Sequence, residues 1–149
     1  MDRSPYIYEK SVSYLGYLIV PFVFSRVGGE FIYSYALLSD RGYQGKFHQG
    51  ENPAKLYANS IEGIITISRQ HLDIFVEKKP KTDYFCDRYT YLNNLIIIHC
   101  EGGKCFYDHY SPKELRNIAA PKLFLSVQDC IHWVKSGLDN PSGNYQIVG

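Results

Sequence analysis

The chain lacks the short sequence motifs that accompany most catalytic and cofactor-binding sites. Its glycines at positions 42, 45 and 50 form neither a dinucleotide-binding GxGxxG nor a phosphate-binding loop, and no lysine follows them at the spacing such a loop needs. Its carboxylates are scattered, without the pairing on one helix face that binds metals or transfers protons. We therefore predict no cofactor, and the sequence argues against an enzyme.

The sequence also lacks an excess of charge of either sign. Sixteen lysines and arginines are balanced by fifteen acidic residues, which leaves a net charge of +1. Proteins that bind duplex nucleic acid without sequence preference draw nearly all of their binding energy from contacts between basic side chains and phosphates. The charge balance therefore predicts that duplex nucleic acid is not a partner.

No apolar run is long enough to cross a membrane as a helix. The strongest candidate, Tyr14–Phe24, contains Pro21 and ends just before Arg26, whereas a spanning helix needs roughly twenty apolar residues. The first residues carry no net positive charge and no small-residue cleavage site follows, so a signal peptide is not indicated. We predict a strand here, a cytoplasmic location and no membrane partner.

Cysteine is scarce, and its spacing does not form a tight metal-binding pair. Cys86, Cys100, Cys105 and Cys130 include no CxxC, and the chain is long for a domain held together by disulfides. We predict reduced thiols, with Cys130 as a small apolar residue of the core. Cys100 and Cys105 stand opposite each other across a predicted hairpin, where two thiols could also oxidise.

Aromatic residues, in contrast, are abundant. Fourteen tyrosines and eight phenylalanines favour strands, because aromatic side chains fit the surface of a pleated sheet. Tyrosine is also enriched at protein interfaces, where its ring buries area while its hydroxyl stays in water. The composition therefore predicts a strand-rich fold and is compatible with a contact surface.

Two segments share one plan, in which a β-hairpin leads to an amphipathic helix. Gly28-Gly29 and Gly102-Gly103 separate apolar runs, and glycine pairs suit hairpin turns because they adopt positive φ without steric cost. We predict each turn to contain four residues. The predicted strands are Ser13–Arg26 and Phe31–Leu38 in the first segment, and Leu92–Cys100 and Cys105–Tyr110 in the second.

Each predicted helix follows a Lys-Leu-aromatic element and opens on a serine that suits the N-cap, Ser60 or Ser126. Apolar residues recur on one face of each helix at i, i+3, i+4 and i+11, while His71 and His132 are predicted on the polar faces. We predict a single α+β domain, residues 1–149. It contains a tandem β-hairpin–helix (ββα) repeat, about 13–76 and 92–138, joined by linker 77–91, with one antiparallel sheet and both helices packed on one face.

The second hairpin tip contains the residues that most resemble a zinc site. Strand alternation places Cys100 and Cys105 on one face and His99 on the other, and His109 lies four residues beyond Cys105. The first segment has the same Gly-Gly turn without these cysteines and histidines. The turn is therefore part of the fold and does not indicate a metal site. We therefore predict no metal.

The apolar pattern of the strands predicts a surface that the helices do not cover. Tyr14–Phe24 and Leu95–Ile98 are apolar on both faces. In a sheet with one face in water, apolar and polar residues should alternate along each strand. Two helices can cover only one face. The other face must therefore pair with a second copy of the chain, giving a homodimer, or curl around a pocket.

We therefore predict a non-enzymatic binding or regulatory module that acts through contact with a protein partner and through self-association. One alternative is a small-molecule site in a curled sheet. A second is a hydrolase or nuclease that uses His99, Asp108 and His109. A third is single-stranded nucleic-acid binding by tyrosine stacking. The candidate binding residues are Tyr33, Tyr35, Tyr107, Lys46 and Lys104.

Overall fold

The computed structural model describes residues 5–77, Pro80 and residues 82–140, and of Tyr43 it describes the backbone alone. Part of the predicted linker and the tail after Asn140 lie outside the described residues. The chain divides into two compact units. Unit 1 takes its described residues from Met1–Cys86 and Pro112–Leu115, and unit 2 takes its described residues from Asp87–Ser111 and Arg116–Gly149.

Unit 1 is a three-stranded antiparallel sheet with one helix packed on it. Short 3-10 turns lie at Tyr8–Lys10 and Gly42–Gln44. The strands follow one another in the order β1-β2-β3, so β2 is central. The elements are β1 (Val12–Tyr14), β2 (Tyr17–Val27), β3 (Glu30–Ser39) and α1 (Ile61–Phe75).

Unit 2 has the same order of elements. Its sheet is also antiparallel and three-stranded, in the order β4-β5-β6. The elements are β4 (Arg88–Tyr91), β5 (Asn94–Glu101), β6 (Lys104–Tyr110) and α2 (Val127–Asp139). The predicted α+β class is confirmed. The strands are divided between two sheets that each have one helix, rather than joined in the single sheet expected from the sequence. The internal duplication itself stays a prediction.

Each unit has one strand more than the predicted hairpin. A tight turn at Leu15-Gly16 separates β1 from β2, and a turn at Leu92-Asn93 separates β4 from β5. All four turn residues have positive φ, from 49° to 84°. Leucine rarely adopts this conformation, so the turns were hidden inside apolar runs. As a result β4 lies within the predicted linker 77–91.

The two Gly-Gly turns are tighter than predicted. Val27 pairs with Glu30 and Glu101 pairs with Lys104, which leaves two residues in each loop instead of four. The glycines have φ of +59° and +83° in the first turn and +62° and +79° in the second. Positive φ at both loop residues defines the turn whose twist matches that of the flanking strands.

The helix-facing side of each sheet forms a hydrophobic core. Ile64 of α1 and Cys130 of α2 are both completely buried, which confirms the prediction that Cys130 is a core residue. Burial also raises the pKa of the Cys130 thiol to about 11. The core of unit 1 contains Tyr17, Ile19, Tyr35, Leu37, Ile64, Ile65 and Leu72. That of unit 2 contains Ile96, Ile98, Cys105, Tyr107, Phe124, Cys130 and Val134.

The opposite sides of the strands are buried as well. Leu18, Val20 and Leu38 in unit 1, and Leu95 and Ile97 in unit 2, are at most 1% exposed within the single chain. The sequence correctly indicated that both sides are apolar, but no open apolar face is left at these positions. The homodimer was expected through this face of the strands, and the burial of these residues within one chain removes that basis. Homodimer formation itself stays a prediction.

Both helices begin at the predicted serines. The Ser60 hydroxyl accepts a hydrogen bond from the Gly63 amide at 2.9 Å, and the Ser126 hydroxyl accepts one from the Asp129 amide at 3.1 Å. Each bond satisfies one of the amides in the first turn that have no partner within the helix. The two N-caps are therefore confirmed.

Removal of either cap should destabilise the protein. We expect Ser60→Ala and Ser126→Ala each to lower the free energy of unfolding by about 1 kcal/mol, the usual loss for an N-cap serine. Urea titration followed by circular dichroism measures this loss. Thr66→Ala, at an exposed site inside α1, is the control and should change stability by less than about 0.5 kcal/mol. Equal losses in all three variants would contradict the assignment.

Candidate functional site

The residues of the hydrolase alternative are only partly brought together. The imidazole Nε2 of His99 lies 3.0 Å from Asp108 Oδ2, and both side chains are less than one-fifth exposed. The Asn117 amide donates to the other oxygen of Asp108 at 2.9 Å, so the carboxylate is held from both sides. His109 lies on the opposite side of the sheet, because neighbouring residues of a strand point to opposite faces. The predicted group of three catalytic residues is therefore not assembled.

His109 is a buried, neutral histidine. Asn94 donates its amide hydrogens to the carbonyls of Tyr91 and Leu92, so its oxygen faces His109 and accepts from Nε2 at 2.9 Å. The other ring nitrogen, Nδ1, is buried without a hydrogen-bond partner among the described residues. Burial lowers the pKa of His109 from 6.5 to about 4, because a charged ring would lose its hydration.

The lowered pKa of His109 predicts acid sensitivity. The unfolded chain binds a proton near pH 6.5 while the folded chain does not until about pH 4, so stability is present above 6.5 and is lost as the pH falls between these values. The loss at pH 4 is at most about 3 kcal/mol. Urea unfolding at several pH values measures it. The free energy of unfolding should change less steeply with pH in His109→Gln. The slope should be unchanged in the control His132→Gln, whose side chain is exposed. A slope unaltered by His109→Gln would contradict this role.

His71 is a buried residue that the sequence interpretation placed wrongly on a polar helix face. It is 5% exposed, and its Nδ1 lies 2.9 Å from the hydroxyl of Tyr35. The rings of Phe47 and Phe75 lie 4.9 and 5.0 Å away. Burial, followed by the nearby charge of Lys46, lowers the pKa of His71. His71 therefore belongs to the core of unit 1.

The predicted stacking residues do not form a shared surface. Tyr35 is completely buried and Tyr107 is 3% exposed, so neither ring can stack on a base from solution. Burial also raises the pKa of Tyr35 to about 12. Tyr33 is half-buried. Lys46 is exposed, with its ammonium 4.8 Å from the ring centre of Phe75. Lys104 is exposed at the Gly-Gly turn. Two of the three tyrosines are thus core residues.

Cys100 and Cys105 are joined by a disulfide bond, so the interpretation of these two residues as reduced thiols is wrong. The Cys105 amide and carbonyl each form a 2.7 Å hydrogen bond with Phe124, and therefore point away from Cys100. Side chains come closest at such non-hydrogen-bonded pairs of an antiparallel ladder. Among the described residues, no three histidine, cysteine or acidic side chains are grouped to hold a metal ion.

The cysteine pattern predicts a stepwise thiol count. Cys86 is exposed and free, whereas Cys130 is free but buried. We expect a thiol reagent to modify Cys86 in the folded protein, Cys130 only after unfolding, and Cys100 and Cys105 only after reduction. Peptide mass spectrometry at each step identifies the labelled residue. Rapid labelling of Cys100 before any reductant is added would contradict the disulfide.

The β2–β3 hairpin of unit 1 ends in exposed aromatic residues. A register shift between Val23 and Ser25 leaves Phe24 without a cross-strand partner. Its ring lies 4.7 Å from that of Tyr57, and the guanidinium of Arg26 lies 4.9 Å from the ring centre of Phe31. We call this surface the aromatic tip. It comprises Phe24, Val27, Phe31 and Tyr57, which are 54, 62, 43 and 43% exposed, together with Arg26.

The sequence does not indicate the aromatic tip, although it does suggest the neighbouring Tyr33 as a binding residue. Phe24 and Phe31 lie in predicted strands, and periodicity alone does not reveal a bulge. Arg26 and Phe31 occupy in unit 1 the positions that Cys100 and Cys105 occupy in unit 2. Both pairs face each other directly across the strand end before a Gly-Gly turn.

Comparison with known proteins does not assign the chain to a family: no family model, no curated protein sequence and no solved structure matches it. No helix among the described residues is long and apolar enough to cross a membrane.

Proposed function

We propose that the protein is a non-enzymatic binding module that acts through protein–protein contact and self-association, with the aromatic tip as its contact surface. The observation that supports this proposal is the exposure of Phe24 and Phe31, 54 and 43%, at the end of the β2–β3 hairpin, with Val27 on the opposite face and Tyr57 packed against Phe24. Clustered exposure of this kind marks contact surfaces, whereas single exposed apolar residues are ordinary.

The chemistry of the aromatic tip is that of an interface centre. Phenylalanine, tyrosine and arginine are enriched at protein interfaces, and tyrosine and arginine are also enriched among the residues whose truncation weakens binding strongly. Full burial of one large apolar side chain contributes roughly 1.5–3 kcal/mol. Because the four side chains are about half exposed, a partner would recover part of this energy at each of them.

A second copy of the chain is the partner that we propose. In a two-fold dimer the same surface serves both protomers, so it must be complementary to itself. The aromatic tip meets this condition because Arg26 and Glu30 are both exposed at the same strand ends. Across a two-fold axis Arg26 of one protomer can pair with Glu30 of the other, while the rings pack between them.

The location that we propose is the cytoplasm. Cys86 and Cys130 are free, as is usual where thiols are kept reduced. The Cys100–Cys105 disulfide is unusual for that compartment, and because Cys100 is exposed we expect reducing thiols to open it there. The balanced charge supports a protein partner rather than duplex nucleic acid.

Sedimentation velocity over a range of concentrations tests the dimer. We expect a mass near twice the 17.2 kDa of the chain at micromolar concentration. Phe24→Ser combined with Phe31→Ser should shift the protein to monomer, because the rings at the interface are lost. Ile74→Ser is the matched control, since Ile74 is 75% exposed outside the aromatic tip. A monomer at all concentrations would contradict self-association.

Exchange of the charges at positions 26 and 30 tests whether the dimer forms through the aromatic tip or through another surface. Arg26→Glu should weaken the dimer at least tenfold, because two acidic side chains then face each other. Arg26→Glu combined with Glu30→Arg should restore it. If the double variant stays as weak as the single variant, the proposed pairing of Arg26 with Glu30 is wrong.

A further inference from the structure

The two units differ at the position between the first strand and the helix. In unit 1, Val12, Tyr14 and Leu15 pack against the core cluster that contains Ile65 and Leu72 of α1. In unit 2, a cleft of about 310 Å³ lies between β4 and α2. The first strand of unit 1 therefore contributes side chains to a core, whereas the first strand of unit 2 lines a cleft.

At one end of the cleft, a tyrosine of the first strand donates a hydrogen bond to an aspartate of the helix, and unit 1 has the same contact. The Tyr91 hydroxyl donates to Asp139 Oδ1 at 2.7 Å, and the Lys135 ammonium lies 5.2 Å from the centre of the Tyr91 ring. In unit 1, Tyr14 donates to Asp73 at 2.5 Å, with the guanidinium of Arg69 5.7 Å from its ring. The cleft is thus bounded by a contact that unit 1 also makes, and its walls are held in place.

The walls of the cleft have the composition of a small-molecule site. Tyr89 and Tyr91 are two residues apart on β4, so their rings lie on the same face. Ile96 lies beside Tyr89 on the same face of the sheet, and Ile131 and Val134 of α2 supply aliphatic surface opposite them. Thr90 and Gln128 add polar groups to the lining, and the volume lies at the lower end of the range of about 300–1,000 Å³ that is typical of ligand sites. This cleft fits a molecule of one or two fused rings.

Charge selects the class of ligand. Lys135 lines the cleft, and its ammonium lies 5.2 Å from the centre of the Tyr91 ring, whose hydroxyl is bonded to Asp139. Its contact with the face of the Tyr91 ring leaves its remaining N–H groups available. An ammonium at the margin of an apolar cleft favours a ligand with one anionic group, and a carboxylate accepts its hydrogen bonds.

We propose that the cleft between β4 and α2 is a binding site for a small planar aromatic carboxylate. The ring of the ligand lies against Tyr89 and the aliphatic side chains, and its carboxylate pairs with Lys135. The cleft is formed by residues of unit 2 and the aromatic tip by residues of unit 1, and the proposal does not require self-association.

Titration calorimetry on the full chain with 2-naphthoate tests the proposal. We expect one site per chain, and binding at least tenfold weaker for 2-naphthalenemethanol, which has the same ring system without the charge. Lys135→Gln should weaken naphthoate binding at least tenfold. Arg69→Gln is the matched control, because it removes the equivalent cation where unit 1 has packed side chains. It should leave binding unchanged.

Ile131→Phe, which fills the cleft from α2, should weaken binding of both probes while circular dichroism shows the fold retained. Three outcomes would overturn the proposal. They are no binding at millimolar 2-naphthoate, equal binding of the neutral probe, and binding that survives both Lys135→Gln and Ile131→Phe. None of these outcomes depends on the oligomeric state, so failure here is distinguishable from failure of the aromatic tip.

Discussion

Four two-residue turns set the register of the two sheets. In an antiparallel pair, a slip of one residue moves every side chain to the other face. Here the turns at Leu15-Gly16, Gly28-Gly29, Leu92-Asn93 and Gly102-Gly103 all have positive φ, which fixes the strand pairing within one residue. The central strands are apolar on both sides, so the side-chain pattern alone would tolerate such a slip, and the turns therefore determine the register.

The register also decides which functional residues can meet. It places Cys100 directly opposite Cys105, and it separates His109 from the contact between His99 and Asp108. In unit 1 the only shift in register between β2 and β3 is the bulge at Phe24, and that residue is exposed in the aromatic tip. The chemistry of the surface thus follows from backbone pairing, which short motifs do not encode.

The helices could be predicted from the sequence, whereas the turns and the candidate site could be predicted only in part. Serine N-caps and the 3.6-residue period located α1 and α2 closely, since both signals are local. His71 shows the limit of judging a face by polarity, because it lies seven residues after Ile64 and therefore on the same side of α1. Its burial depends on the hydroxyl of Tyr35, a partner 36 residues away. The turns at Leu15 and Leu92 were missed because leucine rarely adopts positive φ.

Comparison of the two units separates architecture from candidate function. Both use a serine N-cap, and both fix the helix to the first strand by a tyrosine that donates to an aspartate. They differ at the hairpin end, where unit 1 has Arg26 over Phe31 and unit 2 has a disulfide. They differ again between strand and helix, where Val12 of unit 1 packs against the core and Tyr89 of unit 2 lines a cleft. The shared contacts recur because both units hold a helix against a sheet. The positions that differ are therefore not dictated by the fold, and they are where binding properties can be specific to one unit.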